Sequence, residues 1–137
     1  MESRMIYICS PYAGNTEDNT AFARQACGYA ISQGAVPLAP HLLYPQILND
    51  SIPEDRETGI RLGLEILKRC EEIWICGDRI STGMKREAAY AKDRGIPVRW
   101  ISVCEIMENQ TVQEIGEVIR EGPETSQSHQ KDVQFWM

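Results

Sequence analysis

Two acidic residues, Asp78 and Glu87, flank a predicted helix start and could do chemistry together. Glu87 follows Gly83 by one helical turn, so its carboxylate can point toward whatever approaches the bare glycine backbone. A carboxylate placed there can attack an anomeric carbon or stabilise an oxocarbenium-like sugar. Asp78, after the preceding strand, would hold or protonate the leaving group. The same spacing also fits a solvated helix face on which Glu87 pairs with a neighbouring cation.

A polar loop after the first apolar run offers groups that bind a phosphate or a ribose. Its candidate substrate-binding residues are Ser10, Pro11, Tyr12, Gly14 and Asn15. They supply hydroxyls, an aromatic face and backbone amides near a helix start, where anions are favoured. The alternative is a turn in which Gly14 and Asn15 serve backbone geometry and helix capping. The spacing matches neither the Rossmann dinucleotide fingerprint nor the P-loop.

A second loop, residues 77–83, and the exit of the second strand complete the candidate site. The further candidates for substrate contact are His41, Arg79, Ser81, Gly83 and Met84. A lone loop histidine such as His41 also commonly makes a structural hydrogen bond. Cys9 and Cys76 end strands beside these loops, but the sequence shows no activating partner for either thiol. We therefore interpret both as small buried apolar residues.

Alternating strands and helices must position these loops. Strands are predicted at residues 5–9, 35–39, 73–76 and 97–101, with helices between them and a last helix over 112–120. This alternation predicts an α/β fold with three layers, in which helices cover both faces of a parallel sheet. We expect the strand order 2-1-3-4 and a ligand crevice between strands 1 and 3. Whether the sheet has an additional edge strand is left open.

Three local features of these elements give further expectations. Pro37 cannot donate to a strand ladder and indicates that the second strand lies at a sheet edge. Thr82 is expected to cap the helix that carries Glu87. The aromatic residues of the strands are expected to lie mainly in the core, and these are Tyr7, Trp74 and Trp100.

Composition sets the class of protein. The chain has 137 residues, 42% of them hydrophobic, and a net charge of −6. These values predict one packed domain over residues 1–120 with a polar tail over 121–137. The acidic charge argues against a nucleic-acid polymer as partner. No apolar stretch suits a membrane span or a secretory leader, so we expect a cytoplasmic protein. The five cysteines and two histidines show neither a disulfide framework nor the spacing of a metal site.

Three separated strings carry a resemblance to a known family. They are residues 6–12, residues 34–45, and residues 77–84 followed by Glu87. Together they resemble a group of small bacterial and phage proteins that is similar to the nucleoside 2-deoxyribosyltransferases. The resemblance spans roughly residues 5–101.

The resemblance implies a flavodoxin-like sheet and roles for particular residues. Glu87 matches the glutamate that attacks the sugar and holds it covalently, Gly83 the glycine one turn earlier, and Tyr7 the tyrosine that orients the nucleophile. Asp78 is a looser match for the acid that handles the base. The carboxylate supplies covalent catalysis, so no cofactor is required. The resemblance also implies a homo-oligomer whose subunits complete one another's sites.

Two departures from the family pattern bear on the substrate. The transferases place an acid shortly before the glycine, where this chain has residues 80–82, Ile-Ser-Thr. They usually carry an apolar residue before the nucleophile, where this chain has Arg86. A cation there would either recognise a 5′-phosphate or face water.

The sequence therefore predicts an enzyme of N-glycosidic bonds. It would be a hydrolase or a (deoxy)ribosyltransferase acting on a nucleoside, a nucleotide or a related ribose-linked small molecule. The alternative is a protein that binds or sequesters a nucleotide-derived ligand in the same crevice without turning it over. A third hypothesis is a scaffold whose C-terminal Phe135 and Trp136 dock on a partner or a sister subunit.

Overall fold

The computed structural model describes residues 3–108, in which strands and helices alternate. The strands are β1 (Met5–Cys9), β2 (Val36–Leu38), β3 (Glu72–Cys76) and β4 (Val98–Ile101). The helices are α1 (Thr16–Ser32), α2 (Pro53–Lys68) and α3 (Thr82–Asp93). Two short 3-10 turns, Pro40–Leu42 and Tyr44–Gln46, follow β2, each with a proline in its first turn. The chain becomes helical again over residues 103–108.

The four strands form one parallel sheet in the order β2-β1-β3-β4, which confirms the predicted order 2-1-3-4. β2 is an edge strand, as Pro37 indicated. Residues 3–108 contain no fifth strand in this sheet. The predicted helix over 112–120, the tail over 121–137 and the Phe135–Trp136 pair lie outside the described residues. No helix in the described range is long and apolar enough to span a membrane.

The side chains of β1 and β3 alternate between two cores. On one face Ile6 and Ile8 pack with Trp74 against α1. On the other face the apolar residues of the two strands pack against α2 and α3, and these strand residues are Tyr7, Cys9, Ile73 and Ile75. Helices therefore cover both faces of the sheet, which confirms the three-layer α/β/α architecture.

Trp100 is 60% exposed, so the expectation that it lies in the core is wrong. β4 is the outer strand of the described sheet, and Trp100 lies opposite Ile75 in its register. Ile75 is fully buried under the helices, whereas the face of β4 beside it is open. Trp74, in contrast, is fully buried and its ring lies 5.9 Å from that of Tyr29.

The cap of α3 lies one residue earlier than predicted. Ser81, not Thr82, is the capping residue, and its hydroxyl accepts the backbone N–H of Met84 at 3.2 Å. The Met84 thioether in turn accepts the backbone N–H of Ser81 at 3.4 Å. Ser81 has an extended backbone, with ψ 170°, whereas Thr82 is already helical. Either hydroxyl could cap a helix, so only the backbone angle distinguishes them.

Candidate functional site

A cavity of about 430 Å³ lies on the face of the sheet covered by α2 and α3. Its walls come from the segments that follow β1, β2 and β3, and from α2. The strand order reverses between β1 and β3, so the cavity lies at the position where parallel α/β sheets bind ligands. A volume of this size suits a small metabolite.

Glu87 projects from α3 into this cavity, and two buried side chains hold its carboxylate. The Tyr7 hydroxyl donates a hydrogen bond to Oε2. The Cys9 thiol donates to Oε1 with a sulfur-to-oxygen distance of 3.5 Å. Tyr7 is 2% exposed and Cys9 is fully buried, because alternate residues of β1 face this core. Both carboxylate oxygens are therefore fixed in direction.

Burial dominates the electrostatics of this group. Loss of solvent raises the pKa of Glu87, while hydrogen bonds from Tyr7 and Cys9 and the charge of Arg86 oppose that rise. Burial, followed by the nearby Glu87 carboxylate, also raises the pKa of Tyr7 and of Cys9 well above their usual ranges. Tyr7 and Cys9 thus stay protonated as donors, and Glu87 is a poorly hydrated carboxylate directed by two hydrogen bonds. Such a group is suited to nucleophilic attack.

Two glycines of α2 line the cavity and present no side chain to it. A Cβ atom at Gly63 would lie 3.4 Å from the Tyr7 hydroxyl, and one at Gly59 would lie 3.6 Å from Leu48 Cδ1. Glycine inside a helix costs about 1 kcal/mol relative to alanine. At position 63 this cost goes with the space that glycine leaves for the Tyr7 hydroxyl.

Replacing Gly59 by alanine is expected to stabilise the protein by about 0.5–1 kcal/mol, because the new methyl group makes only an ordinary contact. The free energy of unfolding from urea denaturation measures this. Gly14→Ala is the matched control. Space around Gly14 is also open, but its φ of +101° strains any side chain, so stability should fall. A loss of stability in Gly59→Ala would contradict the described packing of α2.

Aromatic side chains line the part of the cavity formed by the segments that follow β1 and β2. Ser10 Oγ and His41 Nε2 are hydrogen-bonded at 2.9 Å, and the Tyr12 ring lies 6.1 Å from that of His41. Tyr44 and Pro45 add further flat apolar surface. Burial lowers the pKa of His41 to about 4, so its ring is neutral at pH 7. This arrangement can hold a planar ring and offer it one imidazole nitrogen.

The lowered pKa of His41 makes stability depend on pH. The ordinary pKa is 6.5 and the folded one about 4, so between these values the unfolded chain binds more protons. The favourable contribution is present above pH 6.5 and is lost as pH falls through 4, in total about 3 kcal/mol. His41→Gln should lose less stability than the wild type between pH 6.5 and pH 4, measured by urea denaturation at each pH. Parallel pH curves would refute the buried neutral imidazole.

The cavity brings together most, though not all, of the residues predicted for the site. Those that line it are Tyr7, Ser10, Tyr12, His41, Ser81, Gly83, Met84 and Glu87. Those that do not are Pro11, Gly14, Asn15, Asp78 and Arg79.

The residues off the cavity have other surroundings. Asn15 caps α1 by accepting the backbone N–H of Asp18 at 3.1 Å, and Gly14 adopts a left-handed conformation, so geometry and capping account for both. Asp78 and Arg79 are exposed. In the helical segment 103–108 the Glu108 carboxylate is the main cause of a raised pKa of the Cys104 thiol, and the charge of Asp78 adds the smallest part of that rise.

Three charged residues that the sequence did not indicate also line the cavity, and these are Asp50, Asp55 and Arg56. Arg86, which the sequence offered as a cation for a 5′-phosphate or for water, lines it as well. Asp55 Oδ2 accepts the backbone N–H of Asn49 at 2.9 Å, which fixes this carboxylate beside the start of α2. The sequence does contain a signal for one wall of the cavity. Arg56, Ile60 and Gly63 follow one another at intervals of four and three residues, so they share one face of a helix. Among residues 3–108 no cluster of His, Cys, Asp and Glu could hold a metal ion.

Solved structures share this fold. A 2-deoxyribosyltransferase from Bacillus psychrosaccharolyticus matches with a TM-score of 0.61 and 21% identity over 72% of each chain. A 2-desoxiribosyltransferase from Leishmania mexicana matches with a TM-score of 0.50 and 18% identity, over 72% of this chain and 64% of that protein. The flavodoxin-like deoxyribosyltransferase fold implied by the sequence resemblance is thereby confirmed.

No curated protein matches the sequence. The family model described as a domain of unknown function, DUF7768, matches residues 4–101. This range includes all four strands, the three helices and every lining residue of the cavity. The chain belongs to the DUF7768 family.

Proposed function

We propose that this protein cleaves the N-glycosidic bond of a nucleoside or nucleotide, with Glu87 as the nucleophile. The observation that carries this proposal is the partly buried Glu87 carboxylate, held at both oxygens by Tyr7 and Cys9 and open to a cavity of about 430 Å³. The likeness of the fold to 2-deoxyribosyltransferases supports the same reaction class.

The reaction would proceed in two steps. A Glu87 oxygen attacks the anomeric carbon, a carbon–oxygen bond forms, and the carbon–nitrogen bond breaks with its electron pair leaving on the base, which takes up a proton. Water or a second base then attacks the same carbon from the opposite side and gives up a proton, and the ester electron pair returns to Glu87. Both routes retain the configuration of the sugar.

The acid that serves the base is reassigned in this proposal. Asp78 is exposed and does not line the cavity, whereas Asp50 and Asp55 do. A carboxyl group must lie within hydrogen-bond reach of the base to donate or direct a proton. We therefore propose Asp50 or Asp55 for this role, with Tyr12, His41 and the neighbouring aromatic wall holding the base.

A binding protein that does not turn its ligand over is the second candidate. The displacement of Asp78 from the cavity favours it, since the acid expected to assist the leaving group is not there. This function would use the same aromatic wall and the same volume. The small-molecule partner is of the same class in both proposals, and a homo-oligomer remains a prediction.

One experiment separates the two candidates. Purified protein is incubated with a panel of nucleosides and nucleoside 5′-monophosphates, with and without a second free base, and products are separated by chromatography. Release of base supports cleavage, and a new nucleoside in the presence of the second base identifies transfer. Thermal stabilisation by a panel member without any product would support the binding protein and contradict the enzyme.

A further inference from the structure

Two arginines line the cavity, Arg56 on α2 and Arg86 on α3. Neither guanidinium forms a hydrogen bond or a salt bridge within residues 3–108, where the salt bridges involve Arg4, Lys68 and Arg69. Asp55, the neighbour of Arg56, instead accepts the backbone N–H of Asn49. Both cations are therefore available to a ligand in the cavity.

Their positions relative to the reacting carboxylate follow from the two helices. Gly63 on α2 lies beside the Tyr7 hydroxyl, and that hydroxyl contacts Glu87 on α3, so these positions share one level of the cavity. Arg86 immediately precedes Glu87. Arg56 lies two turns before Gly63 on the same face, about 10 Å along the helix axis. Arg86 thus lies next to the nucleophile. Arg56 lies farther away, toward the N-terminal end of α2.

We propose that Arg56 and Arg86 bind a phosphate group of the substrate, which makes nucleoside 5′-monophosphates the preferred substrate class. Guanidinium groups match phosphate oxygens with paired hydrogen bonds. The protein carries a net charge of −6, and a doubly charged ligand needs local cations to overcome that repulsion. The statement about substrates rests on the proposed function, whereas the binding of a sugar phosphate does not.

Binding is tested with ribose 5-phosphate against ribose, because neither has a glycosidic base to lose. Calorimetry should show that ribose 5-phosphate binds at least about 10-fold more tightly than ribose. Arg56→Gln and Arg86→Gln should each weaken ribose 5-phosphate about 10-fold or more without changing ribose. Arg61→Gln is the matched control, since Arg61 is exposed on the same helix and does not line the cavity.

Three results would overturn the phosphate site. These are equal binding of ribose and ribose 5-phosphate, no detectable binding of the phosphate ester, and equal effects of the Arg56 and Arg61 variants. Calorimetry with inorganic phosphate alone is a further test. If it binds as tightly as the sugar phosphate with the same dependence on both arginines, the site recognises free phosphate and the proposed substrate class is wrong.

Turnover separates this inference from the proposed function. With a nucleoside 5′-monophosphate, Arg56→Gln should raise KM about 10-fold or more with kcat largely retained, and a free nucleoside should show no such change. Base release from nucleosides with no preference for the phosphate ester would overturn the inference and leave the cleavage intact. Arginine-dependent binding of ribose 5-phosphate without release of base from any panel member would support the site and overturn the cleavage.

Discussion

Glu87→Gln is expected to reduce base release by about 10³-fold or more, because an amide cannot form the covalent sugar intermediate. The side chain keeps its size and its carbonyl oxygen can still accept from Tyr7, so the fold should remain. Chromatographic assay of free base measures the loss. Glu57→Gln is the matched control, since Glu57 is exposed on α2 and does not line the cavity. Wild-type activity in Glu87→Gln would refute the assignment.

The same substitution should stabilise the protein at neutral pH. The pKa of Glu87 is raised by burial, so its folded form holds a proton more tightly than the unfolded chain does. Its favourable contribution is complete below the ordinary carboxyl pKa and is lost as pH rises through the raised value. A gain in the free energy of unfolding is therefore expected at pH 7. The gain should shrink as pH falls toward 4.

This combination distinguishes a functional carboxylate from a structural one. A structural Glu87 would lose stability on replacement, because its hydrogen bonds would be weakened with no relief of burial. Activity lost together with stability gained is the signature of a group kept for chemistry at the expense of the fold.

Tyr7→Phe is expected to shift the pH dependence of activity. Glu87 must be ionised to attack, so activity is present above its pKa and falls as pH drops through it. Removal of the Tyr7 donor takes away the largest interaction that opposes the rise in this pKa. The acidic limb of the rate profile should therefore move to higher pH, with activity near that limb reduced about 10- to 100-fold.

Two further variants make this result interpretable. Cys9→Ala should move the limb in the same direction by less, because a thiol at 3.5 Å is a weaker donor. Tyr29→Phe is the control, since Tyr29 is equally an aromatic residue of the core but belongs to the cluster on the opposite face of the sheet. An unchanged pH profile in Tyr7→Phe would show that this hydroxyl does not tune Glu87.

Local pattern was enough to predict the sheet. The run at residues 5–9 is apolar at every position, and the structure buries Ile6 and Tyr7 on opposite faces, as a central strand requires. Pro37 indicated an edge strand for β2, because proline cannot donate a hydrogen bond to a neighbouring strand. The resemblance and the strand order together indicated that Tyr7 and Glu87 would share a crevice, and they do.

What the sequence missed depends on contacts between distant segments. The position of Asp50 depends on the path of two 3-10 turns with no regular apolar period, so no periodicity indicated that it lines the cavity. Asp78 follows a strand next to the predicted crevice, yet it is exposed and lies off the cavity. The exposure of Trp100 depends on which strand is outermost and on what covers it, which its own side-chain type does not determine.

Trapping the sugar on the enzyme tests the central claim most directly. A nucleoside or its 5′-monophosphate with fluorine at the 2′ position slows hydrolysis of the intermediate, because fluorine disfavours positive charge at the anomeric carbon. Trypsin cleaves after Arg86 and Lys92, so residues 87–92 form one peptide in which Glu87 is the only acidic side chain. Mass spectrometry should find the fluorinated sugar on this peptide. Release of base with this peptide unmodified, or with the sugar on another peptide, would contradict Glu87 as the nucleophile.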